Sequence, residues 1–252
     1  MSGMKTSGKL IPVIIILASI AGIIFTLYGH FFAGTALPSA EPYSIRPSVS
    51  NAPTGTSVPM QEKLPAEVNL AIPFTSQAPY QNWGQPYEDF CEEASVLMAI
   101  QFVRGQDIPD AEFADRQLLA IRNFELGEFG DYKDTNAQQT SVILKKFFGY
   151  PNVKLVSNPT VADIKNYVAQ HKAVLVPAAG QELPNPYFKQ PGPPYHMVVI
   201  KGYTADGKFI TNDPGTRRGA DFMYTYGAIM NAMHDWNGGD VEHGAKVIIV
   251  VG

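Results

Sequence analysis

The chain contains one cysteine, Cys91, which opens a stretch of apolar residues at helical spacing. Because a lone cysteine cannot form an internal disulfide, Cys91 is either a small buried hydrophobe or a reactive thiol. The first turn of a helix favours the thiolate, whereas the neighbouring carboxylates of Glu92 and Glu93 disfavour a second anion. A nucleophilic role for Cys91 therefore requires a histidine to accept its proton.

Five histidines are present, and His196 is the one best placed to act as a base. It stands where a Pro-rich segment, residues 177–195, turns into an apolar strand, and such a junction can hold an imidazole at the edge of a cleft. His234 and His243 flank a Gly-rich segment without the spacing of a metal site. The sequence therefore predicts no metal and no cofactor.

An aspartate follows in the second strand of a predicted hairpin, whose turn is Asp206-Gly207. Side chains alternate along strands, so Asp213 shares a face with His196, whereas Asn212 points to the other side. Asp213 is therefore predicted to orient the imidazole.

A strict two-residue turn would nevertheless leave Asp213 about 13 Å along the strand from the position opposite His196. A four-residue loop, Thr204 to Gly207, keeps the same face and halves this offset. The sequence therefore predicts the longer loop or a β-bulge.

Acyl transfer also needs a donor for the oxyanion, and an amide side chain can supply it beside the Cys91 backbone N–H. Gln77, Gln81 and Gln85 all precede the cysteine, in an aromatic and polar loop that we interpret as one wall of a cleft. The Pro-rich segment is interpreted as the other wall.

The order of elements predicts an α+β fold, with helices first and hairpin-connected antiparallel strands later. The predicted strands are 69–74, 153–156, 173–176, 196–200, 208–212 and 246–251, and the predicted helices are 91–104, 109–123, 135–148, 160–171 and 222–234. The 91–104 helix is apolar on most sides and is expected to be central. Residues 177–195 are expected to lack regular structure.

An uncharged run of 19 residues, Leu10 to Tyr28, precedes the globular part and follows Lys5 and Lys9. This length and these flanking charges predict a transmembrane anchor, with residues 1–9 in the cytoplasm and the remainder outside. The small residues of 34–36 also allow a signal peptide, followed by secretion. Residues 33–64 are rich in Pro, Ser and Thr and are predicted to be a disordered linker to a domain at 68–252.

The charge composition indicates which classes of binding partner to expect. The formal net charge is −4, without a run of Lys and Arg able to follow a phosphate backbone, so nucleic acid is not an expected partner. We expect a monomer that is attached to the membrane by its N-terminal helix and that binds a peptide or peptide-like substrate.

Four ordered blocks of this sequence resemble the C39-like cysteine peptidases of the papain-like fold. The blocks are Ile72 to Pro79, Cys91 to Ser95, His196 to Tyr203, and Asn212 to Gly215, with Trp83 between the first two. The resemblance covers about residues 68–252. It implies a catalytic triad of Cys91, His196 and Asp213, with a glutamine in the oxyanion hole.

Two details of the resemblance bear on specificity and on the glutamine. Bacteriocin-processing members usually have Gly after the nucleophile, where this chain has Glu92, and no transporter segments follow, so cleavage after double glycine is not expected. Gln77 lies in the block that resembles the family, whereas Gln85 has the six-residue spacing from the cysteine seen in papain-like enzymes generally. We prefer Gln77 and leave Gln85 open.

The sequence therefore predicts a membrane-tethered, extracytoplasmic cysteine peptidase that hydrolyses peptide or amide bonds through a thioester acyl-enzyme. Two alternatives use the same cleft. One is a non-catalytic papain-like module that binds a peptide or cell-wall fragment, and the other is a thiol acyltransferase.

Overall fold

Helix α1, Cys91–Val103, is the element around which the other elements pack, and all 13 of its residues are buried. Apolar residues occupy most of its circumference, so it has no face that suits water. It ends at Arg104, and Gly105 then takes a left-handed conformation with φ of 62°. The predicted central helix thus lies where the sequence indicated.

The computed structural model describes residues 36–44 and 64–252. Helix α2 is Ala111–Glu128, α3 is Ala137–Val142 with a π-helical turn Ile143–Phe147, α4 is Val161–Ala169 and α5 is Tyr226–Ala232. Three 3-10 turns are Tyr87–Asp89, Gly180–Glu182 and Val241–His243. Side chains of Asp110, Asn136 and Thr160 cap α2, α3 and α4 by accepting a backbone N–H, which stabilises each start.

Seven strands of the described chain form one antiparallel sheet. They are β1 Val68–Asn69, β2 Val153–Ser157, β3 Ala173–Ala179, β4 Tyr195–Tyr203, β5 Lys208–Asn212, β6 Phe222–Thr225 and β7 Val247–Val251. Their order is β2-β7-β3-β4-β5-β6, with β1 also paired to β4. The fold is α+β, with N-terminal helices packed on an antiparallel sheet, as predicted.

The β4–β5 hairpin contains both features that the sequence allowed. Residues Thr204–Gly207 connect the strands, and β4 carries a bulge at Lys201. Tyr203 pairs with Phe209 near the turn, but beyond the bulge Val199 pairs with Asn212. The extra residue moves Asp213 toward His196, because it shifts one strand along the other by one position.

Two predicted boundaries were wrong. Phe222–Thr225 is strand β6 rather than the start of a helix, since these residues pair with the free edge of β5 and Tyr224 turns into the core. Strand β3 also continues through Pro177 to Ala179, inside the segment predicted to be irregular. Pro177 is accommodated because β7 pairs with β3 only as far as Leu175, and beyond that point Pro177 is contacted through its carbonyl, which accepts from the His234 N–H at 3.1 Å.

Part of the predicted linker is ordered against the domain. Within Pro38–Ser44, Glu41 forms a parallel bridge with Leu70, and Tyr43 packs edge-on against Phe102 with ring centroids 5.2 Å apart. This corrects the prediction of disorder for these residues. The physical reason is that the short strand β1 leaves backbone groups beside Leu70 unpaired, and Glu41 satisfies them.

The predicted transmembrane segment, residues 10–28, lies outside the described residues. Among the helices of 36–44 and 64–252, none combines the length and the apolar character that crossing a bilayer requires.

Candidate active site

His196 and Asp213 form a buried hydrogen-bonded pair. His196 is the second residue of β4 and Asp213 follows β5, and His196 Nε2 lies 2.8 Å from Asp213 Oδ1. Their exposed fractions are 1% and 0%. Because Asp213 engages Nε2, the Nδ1 atom of His196 is the nitrogen left to accept a proton.

Asp213 accepts hydrogen bonds on both carboxylate oxygens. Oδ1 also accepts from the Gly215 backbone N–H at 2.9 Å, while Oδ2 accepts from Tyr224 Oη at 2.6 Å and from Asn185 Nδ2 at 2.9 Å. Burial alone would raise the pKa of Asp213, but the His196 charge and the donors outweigh it and leave the pKa below its ordinary value. Asp213 is therefore an anion over the physiological pH range.

A hydrogen bond joins helix α1 to strand β4 beside these residues. Ser95 lies one turn after Cys91 on the same side of the helix, and its Oγ donates to the carbonyl of Met197 at 3.2 Å. Since Met197 follows His196, this contact places the first turn of α1 beside the start of β4. Sequence reasoning did not single out Ser95.

The Cys91 thiol contacts Glu92 rather than the imidazole. Cys91 Sγ donates to Glu92 Oε2 at 2.9 Å, and within the described residues no hydrogen bond joins Cys91 to His196. Burial is the largest cause that raises the pKa of the thiol well above its ordinary value, and the hydrogen bond to Glu92 adds to it. The resting sulfur is therefore protonated at neutral pH.

Gln77, preferred as the oxyanion donor, and Gln85, the alternative, both have other partners. Gln77 Nε2 donates to the carbonyls of Tyr87 and Glu88, each at 2.9 Å, so both amide hydrogens are engaged. Reversing the amide would place its oxygen against two carbonyl oxygens, so this orientation is the favourable one. Gln77 therefore fixes the turn that leads into Cys91.

Gln85 is exposed, and its Nε2 donates to the carboxylates of Glu88 and Asp89. Gln81, the remaining candidate, accepts from Arg217 Nη1 at 2.9 Å. The arrangement thus leaves no free hydrogen on the amide of Gln77 or of Gln85 for an oxyanion.

Sequence reasoning missed three residues around the pair. Asn185 and Phe188 come from the Pro-rich segment, and the Phe188 ring packs edge-on against His196 with centroids 5.2 Å apart. Tyr224 comes from β6. The alternation of Phe222 and Tyr224 with polar or smaller residues was the available signal for a strand that turns Tyr224 inward.

Two other histidines of the described chain, His234 and His243, have partners of their own. His243 pairs with Asp240 at 2.8 Å, and His234 Nδ1 lies 2.9 Å from the Gly244 carbonyl oxygen. In the part of the chain that the structure describes, no group of three or more His, Cys, Asp or Glu residues is arranged to hold a metal ion.

Gly215 is expected to be indispensable, because a Cβ at this position would lie 2.8 Å from His196 Cε1 and 2.9 Å from Phe188 Cε1. The rings cannot both retreat from a packed site, so Gly215→Ala should displace the imidazole. We expect kcat/KM for the peptide cleavage that the sequence predicts to fall about 10²-fold, the typical effect of a misplacement near 1 Å.

Gly127→Ala is the control for this prediction, since a Cβ there meets nothing within 4 Å and the site lies in helix α2. It should leave activity unchanged and stabilise the helix by up to about 1 kcal/mol. Equal activity of the two variants would show that the close approach at Gly215 does not position His196.

Comparison with known proteins gives a family model and a solved structure. The model described as the peptidase C39-like family matches residues 69–238. A crystal structure from Bacillus anthracis, of a protein assigned as a C39-like peptidase, is 16% identical with a TM-score of 0.49, covering 74% of this chain and 98% of that one. No curated protein matches this chain.

Proposed function

Because this chain belongs to the peptidase C39-like family, we propose that it is a cysteine peptidase with Cys91 as nucleophile, His196 as base and Asp213 as the residue that orients His196. The observation that carries the proposal is the buried His196–Asp213 hydrogen bond of 2.8 Å. It holds the proton of the neutral imidazole on Nε2 and leaves Nδ1 as a base.

The proposed reaction begins with a neutral thiol. Cys91 attacks the carbonyl carbon as its proton passes to His196, and the C=O electron pair moves onto the oxygen. When the tetrahedral intermediate collapses, the C–N bond breaks, and the proton on His196 passes to the leaving amine. Water, deprotonated by His196, then hydrolyses the thioester and regenerates Cys91.

Acyl-enzyme trapping tests this function. The full-length chain is incubated with a peptide pool in H₂¹⁸O, quenched in acid and analysed by mass spectrometry. We expect new peptide termini carrying one ¹⁸O and an acyl adduct on the peptide that contains Cys91, both absent in Cys91→Ala. Cleavage that survives in Cys91→Ala would exclude the cysteine mechanism.

A second candidate is a non-catalytic module that binds a peptide or a cell-wall fragment in the same cleft. The observation in its favour is that the resting thiol is bonded to Glu92 rather than to the imidazole. In that case pool peptides would be retained equally by wild type and Cys91→Ala, without adduct or new termini. A thiol acyltransferase would form the adduct but transfer the acyl group to an added amine instead of to water.

We also propose that the domain works outside the cytoplasm, tethered by the apolar segment 10–28. The uncharged run and the preceding lysines support this orientation. The alternative, secretion after cleavage of a signal peptide, would release the domain into the medium.

A further inference from the structure

Glu92 places a carboxyl oxygen against the reacting sulfur, with Oε2 2.9 Å from Cys91 Sγ. Its other oxygen, Oε1, accepts from the backbone N–H of Thr135 at 2.7 Å. Thr135 is held in turn, because its carbonyl accepts from Tyr195 Oη at 2.9 Å. The carboxyl is 1% exposed, so it has a defined position rather than a range of solvated ones.

The contacts decide which oxygen carries the proton when Glu92 is neutral. A backbone N–H can only donate, so Oε1 is the acceptor and the acid proton belongs on Oε2, next to the sulfur. The surroundings favour the neutral form, because Glu92 is buried among acidic groups. These are Glu93 on the same helix, Glu125 on α2, Asp134 in the loop before α3, and Cys91 and Tyr195 beside the carboxyl.

The pKa of Glu92 lies well above its ordinary value. Burial is the largest cause of this rise, and the charges of Asp134 and Glu125 add to the rise, whereas the hydrogen bond from Cys91 lowers the pKa.

Neither Gln77 nor Gln85 has a free amide hydrogen beside the thiol. The hydrogens of Gln77 Nε2 are engaged by two backbone carbonyls, and Gln85 Nε2 is engaged by two carboxylates. An oxyanion donor must lie about 2.7 to 3.1 Å from the oxyanion. The oxyanion is bonded to the carbon that the sulfur attacks, so a group in contact with the sulfur is within reach.

We propose that Glu92 is a catalytic residue that acts as a neutral carboxylic acid, donating from Oε2 first to the sulfur and then to the oxyanion. The inference rests on the proposed peptidase function and assigns the side chain that donates to the oxyanion. At rest the thiol donates to Oε2. Once the thiol proton has passed to His196, the direction of the hydrogen bond reverses.

The proton of Glu92 is shared but not transferred in this scheme. The sulfur pair forms the C–S bond, the carbonyl pair moves to oxygen, and the O–H of Glu92 donates to the resulting charge. When the C–N bond breaks, the electron pair on the oxyanion re-forms the C=O bond, and Oε2 again contacts the sulfur. A carboxyl that burial keeps neutral can provide this stabilisation because the Thr135 N–H holds its heavy atoms in place, so that only its O–H has to turn.

Paired substitutions test the role through kcat/KM for cleavage of the peptide pool. Glu92→Gln keeps an acceptor for Thr135 and an N–H donor at the sulfur, so it should retain activity within about tenfold of wild type. Glu92→Ala removes the donor and should lower kcat/KM about 10²- to 10³-fold. Glu112→Gln, at an exposed glutamate of helix α2 far from this cluster of acids, is the control and should stay within about threefold of wild type.

The pH dependence of activity distinguishes a Glu92 that acts as a neutral acid from a Glu92 that acts as an anion. Wild type should lose activity at alkaline pH as Glu92 ionises, and Glu92→Gln should lack the part of this loss that Glu92 causes. An increase in activity at neutral pH in Glu92→Gln would overturn the proposal, because it would mean that Glu92 only restrains the thiol. Activity of Glu92→Ala within threefold of wild type would also overturn it.

A spectroscopic measurement keeps this inference distinct from the proposed function. The infrared difference spectrum between wild type and Glu92→Gln at pH 7 should contain a protonated-carboxyl C=O band, lost reversibly at high pH. The band without any hydrolysis by wild type would mean that the peptidase function fails although the neutral carboxyl is present. Hydrolysis without the band would overturn the role of Glu92 alone.

Discussion

Asp213→Ala is expected to lower kcat/KM for peptide cleavage by about 10³- to 10⁴-fold. His196 Nε2 would lose its acceptor at 2.8 Å, so the imidazole would no longer be held with its proton on Nε2 and a free base at Nδ1. The imidazolium formed during attack would also lose its buried counter-charge. The measurement is the rate of appearance of new peptide termini from the pool.

The conservative variant Asp213→Asn distinguishes this role from a structural one. An Asn Oδ1 can still accept from His196 and from the Gly215 N–H, so activity should be partly restored relative to Asp213→Ala. Both variants disturb Tyr224 and Asn185, so their melting temperatures should be lowered to a similar extent. Activity that follows melting temperature alone, without rescue by Asn, would contradict an orienting role.

The stability of the folded protein is expected to depend strongly on pH, because two acidic residues, Glu93 and Glu125, are buried together. Both residues are 0% exposed, and no other donor of the described chain satisfies their carboxyl oxygens. Burial, and for Glu93 the charge of Glu125, raise the pKa of both, that of Glu125 from 4.5 to about 8. The two carboxyls interact directly, so the folded protein must hold protons that the unfolded chain releases.

The sign of the pH dependence follows from this difference. A raised pKa means that the folded state binds the proton more tightly, so the stabilisation is complete below about pH 4.5 and is lost as pH rises through about 8. For Glu125 the change in the free energy of unfolding is on the order of 5 kcal/mol. We therefore expect the melting temperature of wild type to fall steadily between pH 5 and pH 9.

Glu125→Gln should flatten this profile and be more stable than wild type at pH 8 and above, because its amide can donate to Glu93 without titrating. Glu112→Gln is the matched control, since Glu112 lies on the same helix with its side chain 73% exposed, paired only with Arg116. Circular dichroism melts from pH 5 to 9 measure the effect. A wild-type melting temperature independent of pH would contradict the buried pair.

The functional consequence concerns helix α1, because Glu93 lies two residues after Cys91. Ionisation of the pair would place a buried charge beside the helix that carries the nucleophile. An uncompensated buried charge destabilises the folded state. Loss of activity at alkaline pH therefore has two sources, Glu92 at the sulfur and this pair behind it. The Gln variants separate the two, since Glu125→Gln should protect the fold without removing the limb assigned to Glu92.

Prediction from the sequence succeeded where the interactions are local. Apolar residues around most of the circumference of 94–103 specified a buried helix, and Asp206-Gly207 specified a hairpin. Alternation then selected Asp213 over Asn212, and the distance along the strand required a longer loop or a bulge. The structure contains both and pairs Asp213 with His196.

Prediction failed where a partner comes from elsewhere in the chain. Phe222–Thr225 is a strand because the edge of β5 is open to it, and Pro38–Ser44 is ordered because backbone groups beside Leu70 need partners. The amide of Gln77 faces two carbonyls of the turn before α1, an orientation that spacing from Cys91 does not reveal.

The sequence by itself determined the α+β class, the placement of Cys91 at a helix start and the shared face of His196 and Asp213, because helical periodicity, strand alternation and turn chemistry act over a few residues. Only the tertiary structure decided how Glu92 is turned, since its orientation depends on the Thr135 N–H and on burial among distant carboxyls. The supports of Asp213 were decided in the same way, because Asn185 and Tyr224 meet it only when β6 and the Pro-rich segment fold over the end of the sheet.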